Sequence, residues 1–234
     1  MRKFDLSKIT SAIFFMLLVN AAALAQDVPK FEVGVQFSVL SLNRPSVLVT
    51  GRIDPGFIGF GPGVGSRTEP GLGARFTYNL TKSIAFEAET NLFPRREDTV
   101  AMPGGRIFQG QFGVKAGKRF QRFGIFGKAR PGFVGFTQVT KLVDTFTVPA
   151  DPFGHVFTLG KFAVGKDVYF STDLGGVVEF YPSRRILTRI DLGDTIIHYV
   201  TFRGIGAFLS HAIVERPPET KHNLQFSAGV GFRF

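Results

Sequence analysis

Apolar and polar residues alternate one by one along several stretches of this chain, most cleanly in Leu224–Phe234. Leu224, Phe226, Ala228, Val230, Phe232 and Phe234 fall on one side, and Gln225, Ser227, Gly229, Gly231 and Arg233 on the other. A period of two marks a β-strand with two unlike faces. Eleven consecutive residues keep that period, and about 9–11 suffice for a tilted strand to cross a bilayer. Phe31–Val39 does the same, with Phe31, Val33, Val35, Phe37 and Val39 set against Glu32, Gly34, Gln36 and Ser38. Six further strands are expected at Gly71–Leu80, Ser83–Leu92, Ile107–Lys118, Phe123–Phe136, Asp167–Tyr181 and Arg185–Asp194. The last three are less regular, because Phe126, Val177 and Leu187 fall on the polar face.

The connections between these segments alternate in length. Short turns are expected at Thr81-Lys82, Arg119–Arg122 and Pro182–Arg184. Long loops are expected at Leu42–Pro70, Phe93–Arg106, Thr137–Lys166 and Thr195–Asn223. Three short and four long connections suit an all-β, eight-stranded antiparallel up-and-down transmembrane β-barrel. Both chain ends then lie on the short-turn side, which in outer-membrane barrels faces the periplasm. A lipocalin-like barrel or a β-sandwich also alternates, but buries its apolar face. The decision rests on the polar face, which carries charges at mid-strand.

That face holds Arg75, Lys115, Lys128, Arg130, Arg189 and Arg233 with Glu32, Glu87, Glu89, Asp173, Glu179 and Asp191. Six bases and six acids balance. The lumen of an eight-stranded barrel is just wide enough to be filled by side chains, and charges buried there have to be paired. An ionic network plugging the lumen is expected, with small residues such as Gly34, Gly73 and Gly113 making room for long side chains. Aromatic girdles are expected at both edges of the apolar band. Tyr78, Phe120, Phe123, Phe180, Tyr181 and Phe234 fall at the short-turn edge, and Phe93, Phe133, Phe136, Tyr169 and Tyr199 at the other.

The first 25 residues read differently. Arg2, Lys3 and Lys8 precede the apolar run Ala12–Val19, and Ala23-Leu24-Ala25 offers a small-residue cleavage site. This is the plan of a secretory signal peptide, and the run is too short for a membrane helix, which needs about 20 residues. Residues 1–25 are therefore expected to be removed, leaving 26–234 as one barrel. The chain has no cysteine, which excludes disulfides, thiolate metal sites and a lipid-modified cysteine anchor. No second apolar run is long enough for a helix, and a closed barrel is the other structure that satisfies its backbone in lipid.

The formal net charge is +10. Lys30, Lys82, Lys118, Arg119, Arg122, Arg184 and Arg185 gather at the short-turn rim with Asp27 as the sole acid. Such a rim is placed to meet anionic lipid head groups. No single nucleic-acid-binding face is formed.

The ending Val230-Gly231-Phe232-Arg233-Phe234, together with the eight alternating segments and the leader, resembles the small OmpA/OmpX-like outer-membrane barrel domains. Gly71–Leu80 followed by Ile84-Ala85-Phe86-Glu87-Ala88-Glu89 is similar to their second hairpin region. The resemblance implies location in a bacterial outer membrane, with lipid and lipopolysaccharide as surroundings. It also implies that Val230, Phe232 and Phe234 form a C-terminal signal for the barrel-assembly machinery. These residues match no peptidoglycan-binding domain of the larger members, so a wall-tethering role is not expected.

Catalytic sets are sparse. His155, His198, His211 and His222 fall in or near the long loops, and Ser210-His211 are neighbours whose side chains point to opposite faces of an extended segment. Asp191, Asp194 and His198 are close in sequence but have no nucleophile beside them. Pro55–Phe60 echoes Pro131–Phe136, and Gly56–Gly65 lacks the Lys-Ser/Thr of a phosphate loop. No catalytic residue, metal site or cofactor is assigned. The expected role is structural or surface-interacting, carried by long loops whose ligand is unknown. A narrow transport pore and a lipid-modifying enzyme are the alternatives.

Overall fold

A computed structural model describes residues 29–43, 45, 48–50, 66–95, 104–149, 156–205 and 213–234. The leader and the glycine-rich stretch 56–65 lie outside the described residues. Among the described residues eleven strands follow in chain order: β1 Phe31–Asn43, β2 Leu48–Thr50, β3 Ser66–Asn79, β4 Ile84–Phe93, β5 Gly104–Arg119 and β6 Phe123–Pro149, then β7 Val156–Phe180, β8 Ile186–Tyr199, β9 Phe202–Ile205, β10 Ile213–Arg216 and β11 Glu219–Arg233. Eight of them close a barrel in the order β1-β11-β8-β7-β6-β5-β4-β3. Every pairing is antiparallel, and β1 closes against β11 from Glu32↔Arg233 to Leu40↔Gln225.

The short turns are built by their own side chains. Thr81 Oγ1 accepts from Ser83 N at 3.1 Å and Ile84 N at 2.9 Å. Ser183 Oγ does likewise for Arg185 N at 3.3 Å and Ile186 N at 3.0 Å. A hydroxyl two or three residues back takes up amides that the turn leaves without a strand partner. The third turn is tighter, closed by Phe120 N donating to Phe123 O at 2.7 Å.

At the opposite end the strands run further than the sequence pattern suggests. The expected loop Thr137–Lys166 is largely a continuation of β6 and β7, paired out to Pro149↔Val156. The expected loop Thr195–Asn223 contains the end of β8, the start of β11 and two short strands. Those two strands, β9 and β10, join β2 in a separate three-stranded sheet. Because β1 and β11 are neighbours, the segments that leave them emerge side by side and can pair.

The alternation keeps its phase along these extensions while its polarity inverts. On β1, Phe31 to Phe37 face out over buried Glu32, Gln36 and Ser38, whereas beyond Val39 it is Leu40 and Leu42 that are buried. On β8, Ile190 and Leu192 face out and Arg189 and Asp191 in, but further along Ile197 and Tyr199 are buried and His198 is exposed. Leu40, Leu42, Phe93, Ile107, Val134, Phe136, Val139, Tyr169, Ile197 and Tyr199 thus form an apolar core inside the long-strand end. Phe93, Phe136, Tyr169 and Tyr199 accordingly line the interior and not the outer aromatic girdle expected for them. Tyr181 is buried as well, whereas Phe120, Phe123, Phe180 and Phe234 are exposed at the short-turn edge.

Glycine is required at two kinds of place. Gly105 has φ 72° where the β5–β6 register shifts, a backbone state that side chains disfavour. Gly113 lies so close to β6 that a Cβ would meet Ala129 O at 2.2 Å and Arg130 Cα at 2.7 Å. Gly113→Ala is expected to destabilise the barrel by about 1–3 kcal/mol, because backbone has to move. Gly127→Ala, whose Cβ would meet nothing nearer than 3.9 Å, is the control without loss. Urea midpoints of the barrel refolded in micelles read the difference.

Candidate functional site

The barrel interior is where this sequence concentrates its chemistry. All twelve charged residues of the polar face are buried inside, the most accessible being Arg233. They are arranged in levels along the barrel axis. Nearest the short-turn mouth, Glu32 Oε1 accepts from Asn79 Nδ2 at 3.0 Å, Arg119 Nη2 at 3.3 Å and Arg233 Nε at 3.3 Å. The Arg119 guanidinium lies 5.7 Å from the Phe126 ring and 5.5 Å from that of Tyr181, and Arg233 lies 4.4 Å over Tyr181. The Tyr181 hydroxyl donates to Glu179 at 2.8 Å.

The next level is a dense ionic cluster. Lys115 Nζ bonds Glu179, lies 3.3 Å from Glu87 and packs 4.7 Å over the Phe126 ring. Arg189 holds both oxygens of Glu87, one of them at 2.9 Å, and both of Asp191 at 2.7 and 2.6 Å. Thr77 Oγ1 adds a donor to Glu87 at 3.2 Å. Glu87 stands on β4 and Arg189 on β8, four places apart in a ring of eight strands. Their bond therefore spans the lumen across its diameter.

Above it, Arg130 donates to Asp173 at 3.0 and 2.6 Å and to Glu89 at 2.6 Å. Lys128 lies 2.9 Å from Asp173 and 3.4 Å from Asp191. Arg75 reaches Gln36 Oε1 at 3.0 Å and Asp191 at 3.6 Å. Glycine makes room here: a Cβ on Gly193 would meet Asp173 Oδ1 at 2.5 Å and Lys128 Cε at 3.1 Å. Such shared, charge-assisted bonds are what lets ionised groups stay buried.

An uncharged polar level separates this cluster from the apolar core. Asn91 accepts from Gln36 and Ser38, each at 2.9 Å, and donates to Glu89 and Gln109, also at 2.9 Å. Gln109 Nε2 donates to Gln225 Oε1 at 2.9 Å, from β5 to β11, again across the ring. Polarity falls from ion pairs through amides to a mainly apolar core, into which β3 sets one further buried pair, Arg67 and Glu69 at 2.9 Å, beside Leu42 and Leu40.

The sequence pattern missed Arg119 as an interior residue and left it on the rim. It follows Lys115 and Gly117 at the lumen phase, one residue past the expected strand end, so extending the strand would have found it. The amides were missed because an uncharged polar residue on a polar face carries no further signal. The off-pattern Phe126, Val177 and Leu187 are buried inside, where Phe126 supplies the ring against which Lys115 and Arg119 pack. Val230, Phe232 and Phe234 are exposed on the outer face.

The histidine candidates do not assemble into a catalytic set among the described residues. Asp191 faces the lumen on Arg189, while Asp194 bonds His222 Nδ1 at 2.5 Å rather than His198. His198 stacks on Phe170 at 5.7 Å and bonds Thr220 at 2.9 Å. His155, Ser210 and His211 lie outside the described residues. No group of three or more potential metal ligands occurs among the described residues.

No family model matches the chain. No curated protein matches it either. Among solved structures, it is similar to Neisserial surface protein A, with 9% identity, a TM-score of 0.44, and 87% of this chain and 97% of that one covered. It is also similar to the outer membrane protein OprG from Pseudomonas aeruginosa, with 10% identity, a TM-score of 0.43 and coverage of 90% and 98%. A third is Ail, the attachment invasion locus protein of Yersinia pestis, with 13% identity, a TM-score of 0.40 and coverage of 88% and 99%.

Proposed function

We propose that this chain is an exported bacterial outer-membrane barrel with a plugged lumen, acting as a structural or surface-interaction protein. The observation that carries this reading is its radial inversion. Val35, Phe37, Leu72, Phe112, Leu192 and Leu224 are among a belt of apolar side chains exposed on the outside, while the ionised residues are buried within. An apolar surface that encircles a protein, far larger than the few hundred Å² usual on soluble monomers, needs a non-aqueous surrounding. A closed barrel has no unpaired edge to offend a bilayer.

In this reading residues 1–25 are the export leader, and Val230, Phe232 and Phe234 are the signal read by the assembly machinery. Outer-membrane lipid and lipopolysaccharide surround the belt. The short turns face the periplasm, and the long-strand end carries β2, β9, β10 and the projecting β6–β7 hairpin outward as the interaction surface. Rigid extended hairpins present a binding surface with less entropy to lose on binding than free loops.

The purified barrel in planar bilayers is expected to give no stable single-channel steps, because Arg189–Glu87 and Gln109–Gln225 bridge the lumen and the apolar core caps it. Regular open steps would replace this reading by a narrow transport pore. A changed lipid A or phospholipid profile on expression would replace it by a lipid-modifying enzyme.

A further inference from the structure

The short-turn mouth of the barrel contains a pocket of about 640 Å³ whose lining includes Arg119, Arg184, Arg233, Gln121, Ser183 and Tyr181. Its charge is unbalanced. Counting Arg119 and the buried Arg67–Glu69 pair, the described residues of the lumen hold eight bases against seven acids, and Arg119 sits at this mouth. No acid of the described residues lines it. The nearest below are Glu32, shared by Arg119, Arg233 and Lys115 with its Oε2 lacking a hydrogen-bond partner, and Glu179, shared by Lys115, Arg119 and Arg189. Arg184 adds an exposed cation at the adjoining turn and has no acidic partner among the described residues.

The geometry of Arg119 is the second observation. Its side chain is only 8% accessible, and Nη2 is used on Glu32 and Asn79. Nε and Nη1 are buried without a hydrogen-bond partner. Buried donors left unmade are expensive, and those on a charged group most of all. The Phe126 and Tyr181 rings lie 5.7 and 5.5 Å from the guanidinium and supply it no hydrogen-bond acceptor at Nε or Nη1.

We propose that this pocket binds a phosphate group, either of a free anion or at the head of an anionic lipid. Tetrahedral oxygens supply several acceptors at once to a planar guanidinium fork, and such pairs are frequently bidentate. Arg233 and Arg184 then share the charge, and the Ser183 hydroxyl and Gln121 amide are neutral donors at the entrance. The lipid source rests on the outer-membrane reading; the free-anion source does not.

The test uses the whole barrel in zwitterionic micelles, following arginine Nε–H resonances during titration with sodium phosphate, dihexanoyl phosphatidylglycerol or sodium chloride at matched ionic strength. The Arg119 and Arg233 resonances are expected to shift and saturate with phosphate, with the lipid, or with both. Saturation by phosphate alone assigns a free anion, and by the lipid alone a head group. Arg184→Gln, an exposed change that leaves the lumen network intact, is expected to weaken binding about tenfold. A response that never saturates, or that chloride reproduces, overturns the proposal. So does an unchanged affinity in Arg184→Gln with heat-modifiable migration intact.

Discussion

Arg189→Leu is expected to lower the stability of the barrel by about 3–5 kcal/mol, the usual consequence of removing one partner from a buried ionic pair. The side chain is almost completely buried and holds two carboxylate oxygens on Glu87 and two on Asp191, with a longer contact of 3.5 Å to Glu179. Leucine leaves two carboxylates facing each other in the lumen. Lys115 and Arg130 still reach Glu87, at 3.3 and 3.6 Å, and Lys128 and Arg75 still reach Asp191, at 3.4 and 3.6 Å. These residual partners keep the loss within that range. Arg189→Lys keeps the charge but gives up the planar fork, so its loss is smaller. Equilibrium urea unfolding in lipid vesicles measures both, and an Arg189→Leu barrel as stable as the parent would show the lumen network to be dispensable.

Val35→Arg tests the other side of the wall. Val35 lies midway along the outward apolar run of β1, between Phe31 and Val39, and is 61% accessible. In water, an exposed substitution of this kind changes stability by about 0.5 kcal/mol or less. At the midplane of a bilayer, arginine on the lipid face of a barrel costs about 2–4 kcal/mol, falling to about 0–1 near the interface. A loss in the larger range in vesicles is therefore expected for Val35→Arg. Ser41→Arg, the next outward position after Val39 and past the polarity inversion, is expected to lose about 1 kcal/mol or less. Equal and small losses at both positions would place the belt in water and sink the membrane reading.

The two variants also separate the functional readings. If Val35→Arg behaves as expected but the barrel conducts, the membrane assignment stands and the plug fails. If Arg189→Leu is destabilised without conductance, the apolar core above the ionic levels is sufficient to seal the lumen. Combining Arg189→Leu with planar-bilayer recording distinguishes closure by the ions from closure by that core.

Much of the architecture can be read from the chain itself. The two-residue period is a local property, so Leu224–Phe234 and Phe31–Val39 declare strands, unlike faces and membrane-spanning length without any knowledge of their neighbours. Charge balance on the polar face likewise follows from counting, because burial demands pairing whatever the pairing is. What the chain could not state is which acid meets which base: Glu87 and Arg189 are 102 positions apart and meet only because closure sets β4 opposite β8. Nor could it state how far the strands run. The alternation of Leu40 to Asn43 reads as an ending, since the outward residues stop being apolar there. Only the closed barrel reveals that the same phase continues while the surroundings change, the exposed apolar belt ending outside and a mainly apolar core replacing the dense ionic levels within. Phe93 and Tyr181 lie inside for the same reason: periodicity tells which face a residue is on, but only tertiary structure tells what that face meets at each depth, whereas Arg119 needs only a strand one residue longer.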